Sequence, residues 1–236
     1  MNKRLWIVFG IIILSIVGLA VYITTNDTNK ANNEISVEDV TWNKIISKEN
    51  IRGDFSDEDI AIATDFVAGK VDSDVVFIEW MNFQCSACQS LFHTLDDIYK
   101  EYSDRVAFVS RYLYLSGHPN GLAASVATEA AAKQGKYHEM HRAIFSNAEK
   151  WNNASIDTRE TIFKGFAEDI DLDIDKWTDD YRNFESNGIR KRLDFQNKLG
   201  LSNGITGSPF LLVNGEKVTN QKDAIITALD NALENN

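Results

Sequence analysis

Cys85 and Cys88 are the only cysteines in the 236-residue sequence, and two residues separate them. A bridge closing so short a loop constrains little unfolded chain, so the pair adds little as a staple. Disulfide-held proteins spread several cysteines along their length. The spacing instead suits redox exchange, in which one thiolate attacks and a second thiol resolves the mixed disulfide. Leu91, Phe92, Leu95, Ile98, Tyr99 and Tyr102 follow at steps of three and four, the pattern of an amphipathic helix. Cys88 continues that stripe one turn earlier and faces inward, while Cys85 lies at the helix's open N-terminal end. Free N–H groups and partial positive charge there favour an anion. A cysteine so placed falls from about 8.5 into a range of roughly 3.5–7.5. Cys-x-x-Cys at a helix start also puts the two sulfurs within bonding distance.

Two more residues draw attention by being out of place. Glu79 interrupts the apolar run from Val75 to Trp80, which reads as a strand buried on both faces. It shares a face with Val75 and Phe77, so it either meets solvent at an edge or sits in the core with a raised pKa. A buried acid beneath the cysteines could carry the proton of Cys88. Pro209 is one of only two prolines and opens the apolar strand Phe210–Val213, a position where proline is sterically allowed. A cis Ser208–Pro209 bond would turn the chain and leave backbone groups free to pair with an extended peptide.

The elements that must hold these residues can be placed along the chain. Residues 56–70 read as a helix capped by Ser56 and ended by Gly69. A strand at 75–80, the cysteine helix and a strand at 106–114 form a parallel unit. Helices are expected at 121–133, 137–146, 157–170 and 175–199, with Asp157 and Asp175 as starters. Asn214–Gly215 between short strands marks a hairpin, and 222–233 forms a last amphipathic helix. The helical block is inserted into one α/β domain.

The N-terminus reads as an address. Lys3 and Arg4 precede an apolar run over 5–23, long enough to span a bilayer. The basic pair predicts residues 1–4 in the cytoplasm and the remaining chain outside. A cleaved signal peptide competes with this reading, with Gly18 and Ala20 as a small-x-small site. The run continues through Ile23, which favours an uncleaved signal-anchor. Residues 24–45 form the linker and 46–236 the folded domain, with its helical insertion at about 120–199. The net charge of −11 argues against a nucleic-acid partner.

Glu79, six residues before Cys85, the Cys85–Ser86–Ala87–Cys88 motif, and Gly207–Ser208–Pro209 followed by Phe210–Leu211–Leu212–Val213–Asn214–Gly215 together resemble the DsbA family of thioredoxin-like proteins. His118–Pro119–Asn120 and Tyr137–His138–Glu139–Met140–His141 are similar to segments of its smaller anchored members. The similarity runs from about Val75 to the C-terminus. It implies a thioredoxin fold split by a helical insertion and preceded by a transmembrane helix. By position it implies that Cys85 attacks, Cys88 resolves, Glu79 assists proton transfer, and a cis Pro209 lies against the cysteines and binds substrate with Ser208. The activity implied is disulfide formation in exported, cysteine-containing proteins by a monomer on the outer side of the cell membrane. No bound cofactor or metal is needed, and a quinone-linked membrane partner reoxidises the pair. The motif departs from the family's best-known oxidase in having Ser86–Ala87 where that protein has Pro-His, which removes one source of thiolate stabilisation. No clear first strand is visible before Val75.

Three other readings compete. The same fold could run electrons the other way, as a reductase or isomerase, although no dimerisation module is visible. Cys85 and Cys88 with His138 and His141 could ligate zinc, although the histidine spacing is short for that. A thiol-independent chaperone would use the peptide groove and leave the cysteines idle.

Overall fold

The computed structural model describes residues 34–114 and 117–235. The expected anchor at 5–23, the cytoplasmic residues 1–4 and the first part of the expected linker lie outside the described residues. Within them, strands Val67–Gly69 (β1), Val76–Met81 (β2), Ala107–Tyr112 (β3), Phe210–Val213 (β4) and Glu216–Val218 (β5) form one sheet, ordered β1-β3-β2-β4-β5. β2 and β3 run parallel, and the other pairs are antiparallel. The helices are Asp57–Ala63 (α1), Ser86–Tyr102 (α2), Pro119–Ala132 (α3), Tyr137–Ser146 (α4), Ala148–Trp151 (α5), Ile156–Asp169 (α6), Ile174–Arg182 (α7), Ile189–Ser202 (α8) and Lys222–Glu234 (α9). The stretch from α3 to α8 is the expected insertion between β3 and β4.

β2 is central and its alternation feeds two cores. Val75 and Phe77 pack with Leu91, Ile98, Ile225 and Leu229 of α2 and α9. Ile78 and Trp80 point to the opposite face, against Phe195 and Leu199 of α8. A third cluster joins the insertion to the cysteine helix through Phe83, Cys88, Phe92 and Phe145. The hairpin closes as expected, with Asn214 at φ 47 and Gly215 at φ 85, the pair of positive angles that a type I′ turn requires.

Four expectations need correction. The helix expected over 56–70 ends at Ala63, and the missing first strand is β1, paired with β3 through Val67↔Val109. The cause is Asp65. Its carboxylate is drawn to the fully buried Arg111, whose Nε reaches Oδ1 at 2.9 Å and whose second terminal nitrogen reaches Oδ2 at 2.5 Å. The chain leaves helical geometry at Thr64 to make that pair. The helix expected over 175–199 is two, because the turn formers between Asn183 and Gly188 break it, with Gly188 at φ 90. Helices α6 and α7 start one residue early, at Ile156 and Ile174, with Ser155 and Asp173 as N-caps in place of Asp157 and Asp175; the Asp173 side chain accepts the Lys176 N–H at 3.2 Å. Finally, the described part of the expected linker is packed. Val37 and Val40 are buried, and Arg111 holds the Trp42 and Lys44 carbonyls, the latter at 2.7 Å.

Candidate active site

The site is built where β2 runs into α2. Asn82 ends the strand and fixes the turn: Nδ2 donates to the Leu113 carbonyl at 2.9 Å, Oδ1 accepts the Gln84 N–H at 2.9 Å, and its carbonyl accepts the Cys85 N–H at 3.0 Å. Cys85 is the N-cap of α2, in extended geometry, and Cys88 lies on the first turn. Both are free thiols in this structure. Cys88 is 1% exposed and Cys85 8%, while Ser86 and Ala87 are open to solvent. Cys88 faces inward, as expected from the apolar stripe, and Cys85 is buried as well.

β4 brings in the third part of the site. Phe210 pairs with Trp80 and Leu211 with Glu79, so the residues just before Phe210 meet the end of β2. The Ser208–Pro209 bond is cis, and the Cys85 thiol donates to the Ser208 carbonyl at 3.4 Å. Sequence positions 85 and 208 are thereby in contact.

The surroundings split the two thiols. The Cys85 pKa is lowered to about 5, first by a hydrogen bond from the Cys88 side chain, with Ser208 and the Cys88 and Ala87 N–H groups adding to it against burial. Cys88 is pushed far above the ordinary thiol range by the same bond, by burial and by the charge of Glu79. Glu79 is buried, at 5% exposure, and resolves the choice left open by the sequence. Burial raises its carboxyl to about 8, with a smaller contribution from the Cys85 charge. A cavity of about 90 Å³ joins Glu79 and Cys88 to Ser110, His138 and His141. It lies on the buried side of the pair, and the Asp96–Arg142 ion pair, 2.5 Å long, borders it.

The two histidines therefore come nearer the cysteines than their sequence distance suggested. They do not converge on them as ligands: no group of three or more His, Cys, Asp or Glu side chains among the described residues is arranged to hold a metal ion. His141 is packed among Phe83, Phe92 and Phe145, and burial lowers its pKa to about 3. The sequence reading missed the polar residues Gln84, Gln89, Asn120 and Asn152, which bond to one another around the cysteine loop. Their signals were a polar pair, Asn82 and Gln84, between an apolar strand and an apolar helix, and Asn120 in the His118–Pro119–Asn120 segment, to which the sequence alone assigned no role.

Residues 62–232 match the profile of the thioredoxin family. The chain belongs to the thioredoxin family, and it carries its Cys85–Cys88 pair at the N-terminal end of α2. Among solved structures, it is similar in fold to BdbD from Bacillus subtilis (TM-score 0.60, 18% identity, covering 71% of this chain and 92% of that one). Alpha-DsbA1 from Wolbachia pipientis gives a TM-score of 0.60 at 18% identity, over 72% and 92% of the two chains. A thioredoxin-like oxidoreductase from Silicibacter pomeroyi DSS-3 gives 0.58 at 22%, over the same shares. Curated relatives are of another kind by name. A Na(+)/H(+) antiporter NhaA 1 from Mycobacterium sp. (strain KMS) is 28% identical over 172 residues, which is 72% of this chain and 26% of that protein. NhaA from Herminiimonas arsenicoxydans is 25% identical over 160 residues, 68% of this chain and 24% of that protein. The chain thus spans about a quarter of the length of these relatives. Among the described residues, no helix is long and apolar enough to cross a membrane.

Proposed function

We propose that the protein forms disulfide bonds in exported proteins, with its domain held outside the cytoplasm by an anchor at 5–23 and its cysteine pair reoxidised by a quinone-linked membrane partner. The observation that carries the direction is the contrast between Cys85, at about 5, and Cys88, far above the ordinary range. In the oxidised protein a substrate thiolate attacks the Cys85 sulfur, breaking the Cys85–Cys88 bond and forming a substrate–Cys85 disulfide. Cys88 leaves as a thiol, because its thiolate is disfavoured in that pocket, and the neutral Glu79 carboxyl supplies the proton. A second substrate thiolate then attacks the substrate sulfur. Cys85 leaves as a stable thiolate, and low pKa makes a good leaving group. Two electrons pass to the protein and one disulfide passes to the substrate. The substrate chain lies along Gly207–Pro209, beside the Ser208 carbonyl that Cys85 already contacts.

Trapping tests this directly. Oxidised glutathione caps Cys85 in a Cys88→Ala variant, and a reduced, cysteine-containing peptide then displaces glutathione to leave a peptide–Cys85 disulfide. Capture is expected with Cys88→Ala and is lost with Cys85→Ala. Capture through Cys88 in the Cys85→Ala variant would reverse the roles. Protease digestion of the domain in intact cells stripped of their outer layers tests the orientation; protection of the domain would place it inside and sink the export reading.

A further inference from the structure

Helix α3 begins without a cap of its own. His118, at its N-cap, makes no side-chain capping bond, and Pro119 has no N–H to donate. Of the next two amides, that of Gly121 reaches the His118 carbonyl at 3.1 Å, and Gln84 offers an acceptor to both from outside the helix. Its Oε1 accepts the Asn120 N–H at 2.8 Å and the Gly121 N–H at 3.0 Å. Its Nε2 donates to the Asn152 carbonyl, just beyond α5, at 2.8 Å. Gln84 is the residue before Cys85.

The loop is tied from the other side as well. Gln89, the residue after Cys88, donates through Nε2 to the Phe83 carbonyl at 2.7 Å and to Asn152 Oδ1 at 3.1 Å, and Asn152 returns a bond to Gln89 Oε1 at 3.1 Å. Asn120 secures that turn by donating to the Ala154 carbonyl at 2.9 Å. Gly121 completes the fit, because a Cβ there would come within 2.6 Å of Asn82 Oδ1. The insertion therefore reaches the redox loop through side chains bracketing both cysteines.

We infer that Gln84 is a positioning residue for Cys85: by tying the residue before the nucleophile to the start of α3 and to Asn152, it holds the loop so that the Ala87 and Cys88 N–H groups face the Cys85 sulfur. This rests on the proposed disulfide exchange and adds a role for the helical insertion in it. N–H groups stabilise a thiolate only when they are aimed at it, so a slackened loop loses thiolate while the fold survives.

The full chain carrying Gln84→Met, which keeps the side-chain volume and removes the three bonds, tests this against Gln134→Ala. Gln134 makes a comparable pair of bonds to Asp173, at 3.0 and 3.1 Å, far from the cysteines in sequence and within the insertion. The readouts are thiolate absorbance against pH and the rate of reaction with a small disulfide. Gln84→Met is expected to raise the Cys85 midpoint by about one pH unit, a roughly tenfold loss of thiolate below the wild-type midpoint. Gln134→Ala is expected to leave it in place. If both variants lower the melting temperature and neither moves the midpoint or the rate, Gln84 is a structural tie only and the inference is overturned. Should Gln84→Met fail to fold, Gln84→Asn keeps an uncharged amide one methylene too short to hold both α3 and Asn152. It should still raise the midpoint, and an unchanged midpoint overturns the inference. A wild-type protein without any thiol–disulfide exchange would instead sink the functional reading itself.

Discussion

At the residue scale, three titrating groups, Cys85, Cys88 and Glu79, are packed together in opposed environments. Cys85 is lowered to about 5 from 9.0, chiefly by its bond from Cys88. An acid with a depressed folded-state pKa binds fewer protons folded than unfolded between those values, so it contributes stability that is full above about 9 and lost as pH falls through about 5. Glu79 has the opposite sign: raised to about 8 from 4.5 by burial, it binds more protons folded and stabilises least above 8. Oxidation removes the cysteine contribution and leaves the larger part of the Glu79 shift, which comes from burial. Denaturant titrations of the reduced and oxidised forms should therefore show their difference shifting toward the reduced form from pH 5 to pH 9. A pH-independent difference would contradict the thiolate assignment. Glu79→Gln should slow the release of Cys88 by roughly 10²-fold, the low end for acid–base catalysis. In the wild type that step, corrected for the substrate's thiolate fraction, should fall as pH rises through about 8. Stopped-flow fluorescence checks both, and a wild-type profile identical to that of the variant would remove Glu79 from the chemistry.

At the scale of elements, what could be read depended on whether the controlling contact was local. The strand–CxxC–helix passage, Cys85 at the helix start with Cys88 facing inward, and the Asn214–Gly215 hairpin all follow from neighbours within a turn or two, and all stand. Glu79 could be flagged as odd in its strand, but its burial depended on what covered it. The end of α1 and the existence of β1 could not be read, because Asp65 answers to Arg111 across 46 positions. That ion pair is fully buried and also ties down the Ile46 amide, at 2.7 Å from Asp65 Oδ2. Asp65→Ala would strand a guanidinium with no counter-charge in the core, a change that typically costs about 3–5 kcal/mol. Urea unfolding should show a loss of that order, with β1 and the segment before α1 losing hydrogen-exchange protection first. A loss within about 0.5 kcal/mol, as for an ordinary surface substitution, would mean that the pair does not organise this edge of the sheet.

At the scale of the molecule, one sheet carries the redox pair at its end, and an inserted helical block closes over the buried side of that pair. The insertion was legible as a run of helices between β3 and β4, and its attachment to the redox loop through Gln84 was not, since an isolated glutamine carries no pattern. On the proposed function, this arrangement stabilises the reduced, thiolate state and so makes the couple an oxidant. Thioredoxin combines a cysteine pKa of roughly 7 with about −270 mV, and DsbA roughly 3.5 with about −120 mV. Cys85, lowered to about 5, falls between them, on the oxidising side of thioredoxin. Equilibration of the soluble domain with glutathione at neutral pH, read out by alkylation of free thiols, measures this couple directly. A two-electron transition clearly less negative than about −270 mV, toward about −120 mV, is the predicted result. A potential near about −270 mV would contradict the oxidising role and make the protein a reductase on the same fold.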